Sequence, residues 1–303
     1  MPKIEANNLK FHYWVSGQSA DTVVLVHGLG GNLAGWHLSV VPELQREYRV
    51  LTYDLRGHGR SDAPPAGYTT GDMVQDLRGI LDALDIQKAA FVGHSWGADI
   101  VLHFALLHPE RVSEVISVEA GLLAPLASFY RRPDWEGWPY VTATMERLLG
   151  RPIPDEHRCD LEYLVRQLIE IPILYGPSRG RPRDEELVFR VIDILRPMWL
   201  GREAEGNMGL DNLSAITRPT LLIYESNSTF FDAQRELSER LPLATSAILP
   251  GAPVKHFTTL EHPDLIVSNI RQFLKDQRSG SSADAPTHDG LTFHASSEQG
   301  RGI

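Results

Sequence analysis

The sequence predicts an α/β protein: a mostly parallel, doubly wound sheet with an inserted helical segment. Three observations point there. Short apolar, β-branched runs alternate with helical patterns over most of the 303 residues. Residues 122–200 break that rhythm with Pro and Trp clusters and no convincing strand. One strand-like run also passes straight into a helical one through Gly93-His94-Ser95-Trp96-Gly97.

The elements follow in order. Residues 9–15 and 22–26 read as strands, as do 49–53, 88–92, 114–118, 220–224 and 245–249. Helical patterns cover 70–84 and 98–107 between them. Within the inserted region, 155–170 and 184–195 are amphipathic and read as helices. Asp99 and His103 share a helix face four residues apart, which predicts a local polar pair. From about Gln277 the chain is polar and Gly/Ser-rich without apolar periodicity, as a flexible tail would be. The expected organisation is a core of residues 1–121 and 200–276, a helical cap of 122–199, and a tail of 277–303.

Composition narrows the function. A hydrophobic content of 42% suffices for a large core. A net charge of −10 argues against a nucleic-acid partner. No apolar run approaches the ~20 residues that span a bilayer, so no membrane partner is expected. Met1-Pro2-Lys3-Ile4-Glu5 lacks the apolar core of a signal peptide. The single cysteine, Cys159, allows no intramolecular disulfide, and a cytoplasmic setting is the natural expectation. No Cys/His cluster has zinc-like spacing and no glycine loop suits a phosphate, so no metal or cofactor is expected.

The chemistry centres on Ser95. A strand, then Gly-x-Ser-x-Gly, then a helix is the context of a nucleophile elbow. Ser95 would sit where a helix N-terminus favours developing negative charge. A serine hydroxyl needs a base within hydrogen-bond reach to attack at neutral pH. His256 is the candidate among 12 histidines, since it follows the last strand and precedes the last helix. His94 suits packing, His27 a brace for the loop after residues 22–26, and His58 a turn.

Taken together, these motifs resemble the α/β-hydrolase family. His27-Gly28-Leu29-Gly30-Gly31 stands where the family places its oxyanion loop, and Tyr53 to Ser61 resembles its Asp-x-x-Gly-x-Gly-x-Ser loop. His108-Pro109-Glu110-Arg111-Val112 leads into the family's strand six, and Leu260-Glu261-His262-Pro263 after His256 resembles its catalytic-histidine loop. The resemblance implies an α/β-hydrolase fold with a helical cap. It also implies an oxyanion held by the backbone N–H of Trp96 and one from Leu29, with Gly28 as the alternative. Most members place an Asp after strand seven, but Ser228 occupies that position here. Glu119, directly after the run 114–118, is the candidate acid, with Glu225 as second choice.

An acid after strand six is similar to the fungal lactonases that open the macrolactone zearalenone. The chain resembles them in its serine elbow, in Glu119, in the stretch Ser228-Thr229-Phe230-Phe231-Asp232, and in Pro197-Met198-Trp199, whose tryptophan would line the substrate pocket. The resemblance implies a serine carboxylic-ester hydrolase with a small-molecule ester or lactone as partner. A homo-oligomer is compatible with it. An acyl thioesterase using the same triad, and a ligand-binding protein with a vestigial Ser95, are the alternatives. Trp135, Trp138 and Tyr140 would either line a cleft for a bulky substrate or pack the cap on the core.

Overall fold

The computed structural model describes residues 2–172, 180–182, 184–199, 206–251, 256 and 258–280. The chain runs β1 (Lys3–Ala6), β2 (Leu9–Ser16), β3 (Thr22–Val26), α1 (Ala34–His37), α2 (Val41–Leu44) and β4 (Arg49–Tyr53). It continues through α3 (Thr70–Ala83), β5 (Ala89–His94), α4 (Trp96–Leu107), β6 (Val112–Val118), α5 (Ala127–Tyr130), α6 (Trp138–Leu149) and α7 (Leu161–Arg166). It ends with α8 (Glu185–Trp199), β7 (Thr220–Glu225), α9 (Phe231–Arg240), β8 (Ala244–Leu249), α10 (Thr258–Glu261) and α11 (Pro263–Gly280). The eight strands form one sheet in the order β1-β2-β4-β3-β5-β6-β7-β8. β1, β2 and β4 pair antiparallel, and the pairings from β4 through β3 to β8 are parallel. This is the α/β-hydrolase fold.

The apolar strands are continuous because both faces of the sheet are covered. In β3, Val24 and Val26 join the core beneath α3 and α4, while Val23 and Leu25 join the core beneath α2 and α11. That alternation is the two-residue period of a strand read twice, once on each face. α3 starts where its sequence says it should. Thr69 accepts the Asp72 N–H and Asp72 accepts the Thr69 N–H, a reciprocal cap worth about 1 kcal/mol.

Several boundaries differ from the sequence reading. β1 was not expected, because four residues with one buried side chain show no readable period. Residues 155–170 are not one helix. A turn at Asp155–His157 is followed by Asp160, which caps Tyr163 N–H and restarts the chain as α7. α11 continues to Gly280, past the expected tail boundary at 277, and 281–303 lie outside the described residues. Trp135 and Trp138 are buried against one another, and Trp135 also against Tyr130, so both pack the inserted segment. Among the described residues, no strand lies between β6 and β7, and no helix is long and apolar enough to cross a membrane.

Candidate active site

Ser95 sits between β5 and α4 with φ +56° and ψ −125°. A left-handed φ costs a non-glycine residue about 1–3 kcal/mol. The fixed strand-to-helix turn imposes it. A Cβ at Gly93 would collide with the Gly97 carbonyl, and one at Gly97 would collide with the Val26 carbonyl, so both flanking positions require glycine. The Ser95 N–H donates to Val118 O at 2.8 Å, which ties the elbow to the end of β6.

Three sequence candidates meet at this point. The Ser95 hydroxyl lies 2.7 Å from His256 Nε2. His256 Nδ1 lies 3.6 Å from Glu119 Oε2. This second distance exceeds hydrogen-bond range and is an electrostatic contact. Glu119 is fully buried at the end of β6, with φ +52°. Its Oε1 accepts the Glu225 N–H at 2.6 Å, and its Oε2 accepts the Ser228 hydroxyl at 2.6 Å. Glu225, the second candidate acid, is also buried, but its Oε1 accepts the Thr258 hydroxyl at 2.7 Å. Glu119 therefore faces the imidazole, and Glu225 anchors the chain two residues beyond it.

The loop after β3 leaves free the amides that an oxyanion needs. His27 Nε2 accepts the Leu55 N–H, so its Nδ1 carries the proton and donates to Gly28 O at 2.8 Å. His58 Nε2 accepts the Gly30 N–H at 3.0 Å, and its Nδ1–H donates to Arg56 O. The Gly31 N–H donates to Gly28 O. These bonds use the Gly30 and Gly31 amides. Among the described residues, the amides of Gly28, Leu29 and Trp96 have no such partner. Burial pushes His58 down to about 3, which keeps its ring neutral and able to accept. The Trp96 indole is buried in the core, so that residue offers the site its backbone. Trp199 ends α8, but its side chain lies outside the described residues.

Two expectations need correction. Asp99 and His103 do not form a pair. Asp99 is buried and accepts the Leu122 and Leu123 N–H groups at 3.0 Å each, while His103 Nδ1 meets Thr70 Oγ1 at 2.8 Å. Tertiary partners outcompete the neighbour on the helix face. His94 does more than pack. Its Nε2–H donates to the His256 carbonyl at 2.7 Å, holding a residue whose own φ is +73°. Burial pushes His94 down to about 3, so it serves there as a neutral donor. Ser228 and Phe230 were visible in sequence as a missing strand-seven acid and as part of a stretch that resembles the fungal lactonases, without a stated role for either side chain. The Ser228 hydroxyl holds Glu119, and the Phe230 ring lies 5.0 Å from that of His256.

Known proteins agree with this architecture. The sequence profile of the alpha/beta hydrolase fold matches residues 21–147. A stretch of 103 residues is 37% identical to an uncharacterized protein of Mycobacterium tuberculosis, and the chain spans 30% of that relative's length. The chain is 28% identical over 261 residues to the 2-hydroxymuconate semialdehyde hydrolase of Pseudomonas sp. CF600, covering 84% of this chain and 87% of that one. It is also 28% identical over 266 residues to esterase YbfF of Escherichia coli K12, covering 84% and 93%. The solved structure of an N-acyl homoserine lactone degrading enzyme superposes with a TM-score of 0.63 at 26% identity, over 90% of this chain and 100% of that one. Sheet order, elbow and these likenesses give the chain the α/β-hydrolase fold.

Proposed function

We propose that the protein is a serine carboxylic-ester hydrolase that opens a lactone through Ser95, His256 and Glu119. The observation that carries the reading is the alignment of Ser95 Oγ, His256 and Glu119 at 2.7 and 3.6 Å. As Ser95 Oγ bonds to the carbonyl carbon, its proton passes to His256 Nε2. Glu119 holds the Nδ1–H tautomer and offsets the imidazolium charge. The carbonyl oxygen, now negative, takes hydrogen bonds from the Trp96 and Leu29 amides, and such donors contribute roughly 3 kcal/mol each. The carbon–oxygen bond of the ester then breaks, and His256 Nε2–H protonates the leaving alkoxide. Water, deprotonated by the same His256, cleaves the acyl-enzyme and frees Ser95. With a lactone the alcohol stays tethered, and the product is one hydroxy acid.

An esterase and a lactone-degrading enzyme among the relatives support the ester and lactone class. The finer reading, a zearalenone-like macrolactone, rests on the segment Ser228–Asp232 and on Pro197-Met198-Trp199. Ser228 supports it by replacing a carboxylate in sequence while steadying Glu119 in space. The inserted helical segment serves as a cap that sets substrate size.

The test is incubation with zearalenone and chromatography with mass detection, for wild type beside Ser95→Ala. A ring-opened hydroxy acid from wild type alone is the expected result. Turnover of short chromogenic esters without zearalenone would withdraw the macrolactone and keep the esterase. Turnover by Ser95→Ala equal to wild type would remove the serine mechanism.

A further inference from the structure

The inserted helices touch the loop that carries Leu29, and the contact runs by two routes. The first is apolar. Leu29 packs against a cluster of Val165 from α7 with Val188, Val191 and Ile192 from α8. This cluster is distinct from the two cores that flank the sheet. Val191 Cγ2 also lies 3.5 Å from where a Cβ at Gly30 would stand, so α8 faces this glycine closely enough to meet any side chain placed there. The second route is polar. Arg190, next to Val191, donates from Nη1 to Gly57 O at 2.8 Å. The following residue, His58, accepts the Gly30 N–H at 3.0 Å. One helix thus packs on Leu29 directly, faces Gly30, and reaches the same loop through residues 57–58.

We infer that α8 is a positioning element for hydrolysis, setting the Leu29 amide against the oxyanion through Val191 and Arg190. This rests on the serine-hydrolase reading above. Geometric tolerance is the reason such support is needed. An oxyanion donor works only when it lies about 2.7–3.1 Å from the charged oxygen, so displacement by a fraction of an ångström removes much of its effect. Glycines on both sides of Leu29 leave that stretch of loop with little rigidity of its own. Its hydrogen bonds fix Gly28 O, Gly30 N and Gly31 N, while residue 29 is located by its side chain. That side chain packs both on the α7–α8 cluster and on the core beneath α3 and α4. The insertion therefore contributes to the rate as well as to the choice of substrate.

The experiment uses the full chain, with Val191→Ala, Arg190→Ala and the conservative Arg190→Lys. A short chromogenic ester reports kcat and KM, and a trifluoromethyl ketone, whose Ser95 adduct carries an oxyanion, reports Ki. A fluorophosphonate followed by intact mass reports whether Ser95 is reactive at all. Both alanine variants should lower kcat about tenfold, less than outright removal of a donor, with KM within about twofold. The ketone Ki should rise by the same factor, and Arg190→Lys should recover part of both. Equal changes in Ki for a neutral alcohol inhibitor would show that α8 only shapes the pocket, and would overturn the inference. So would alanine variants that match wild type. Wild type that fails to label at Ser95 would overturn the serine-hydrolase reading instead, and this inference with it.

Discussion

Glu119→Gln separates the two buried carboxylates. Glutamine fits the site: its carbonyl oxygen can still accept the Glu225 N–H, and its amide can donate to Ser228. Alanine would leave both partners buried and unpaired at about 1–3 kcal/mol each, and so would confuse stability with rate. With glutamine, the change at His256 is the loss of one charge 3.6 Å from Nδ1. At an effective dielectric near 20, a pair of charges at that separation attract by about 4.6 kcal/mol. Each 1.36 kcal/mol is about tenfold in rate, so the ceiling is about 10³-fold. The His256 side chain is 28% exposed, and water screens part of this attraction. The expected loss in kcat is therefore about 10²- to 10³-fold, with KM nearly unchanged. Glu225→Gln is the comparison. Its carboxylate meets Thr258, so it should cost at most about tenfold, through the loop alone. Initial rates on a chromogenic ester, with thermal unfolding of each variant, decide between them. If Glu119→Gln keeps more than about a tenth of the wild-type kcat while Glu225→Gln loses more, the acid has been assigned to the wrong side chain.

The other buried titratable groups give further expectations. His94→Ala removes the donor to His256 O and should lower kcat by about 10- to 100-fold, with His94→Gln recovering part, as read by ester turnover and phosphonate labelling. His94 stays neutral when folded, because burial holds it down to about 3, whereas unfolded histidine protonates near pH 6.5. Its contribution to stability is thus present above about pH 6.5 and lost as pH falls toward 3, near 1.4 kcal/mol per pH unit. Urea unfolding of His94→Gln between pH 4 and 7 should show a slope one proton shallower than wild type. Asp99 has the opposite sign. Burial raises it to about 7, so the folded protein keeps a proton that the unfolded chain releases near pH 4. Stability from this group is full below about pH 4 and falls as pH rises to about 7. Asp99→Asn should remove that fall, and unfolding curves that stay parallel to wild type across the window would contradict it.

How much of this was legible in the sequence depends on the range of the interaction. The strands at 22–26, 49–53 and 220–224 were readable because each is buried on both faces, and the elbow was readable because its glycines are sterically required. Ser95 could be named from its elbow, and His256 and Glu119 from the resemblance to the α/β-hydrolase family, whose members place the base after the last strand and, in some, the acid after strand six. The rest depends on contacts between residues far apart in the chain. His94 and His256 are separated by 162 positions, and Glu119 and Ser228 by 109. Asp99 misled for a related reason: helical spacing put His103 beside it, but buried amides 23 and 24 residues away claimed its carboxylate. The break within 155–170 was local, and the signal was present in Asp160, a good helix cap in the middle of an amphipathic run.

Ser228 and Glu119 are best understood as one choice. The Ser228 hydroxyl approaches Glu119 Oε2 to 2.6 Å as a donor. An aspartate there would bring a second carboxylate to the same oxygen, beside the buried Glu225 backbone. Two carboxylates that close cannot both ionise, and one would hold a proton well above the ordinary carboxylate range. Ser228→Asp should therefore weaken hydrolysis near neutral pH by at least about tenfold, and the rate should recover as rising pH drives off the shared proton. In the background of Glu119→Gln the same change should act in reverse. The new aspartate would be the only carboxylate aimed at His256, the amide of residue 119 could donate to it, and turnover should exceed that of Glu119→Gln alone. Matched pH–rate profiles for the single and double variants measure both signs. If Ser228→Asp lowers the rate equally in both backgrounds, the hydroxyl matters only for packing, and the coupling between the two positions does not exist.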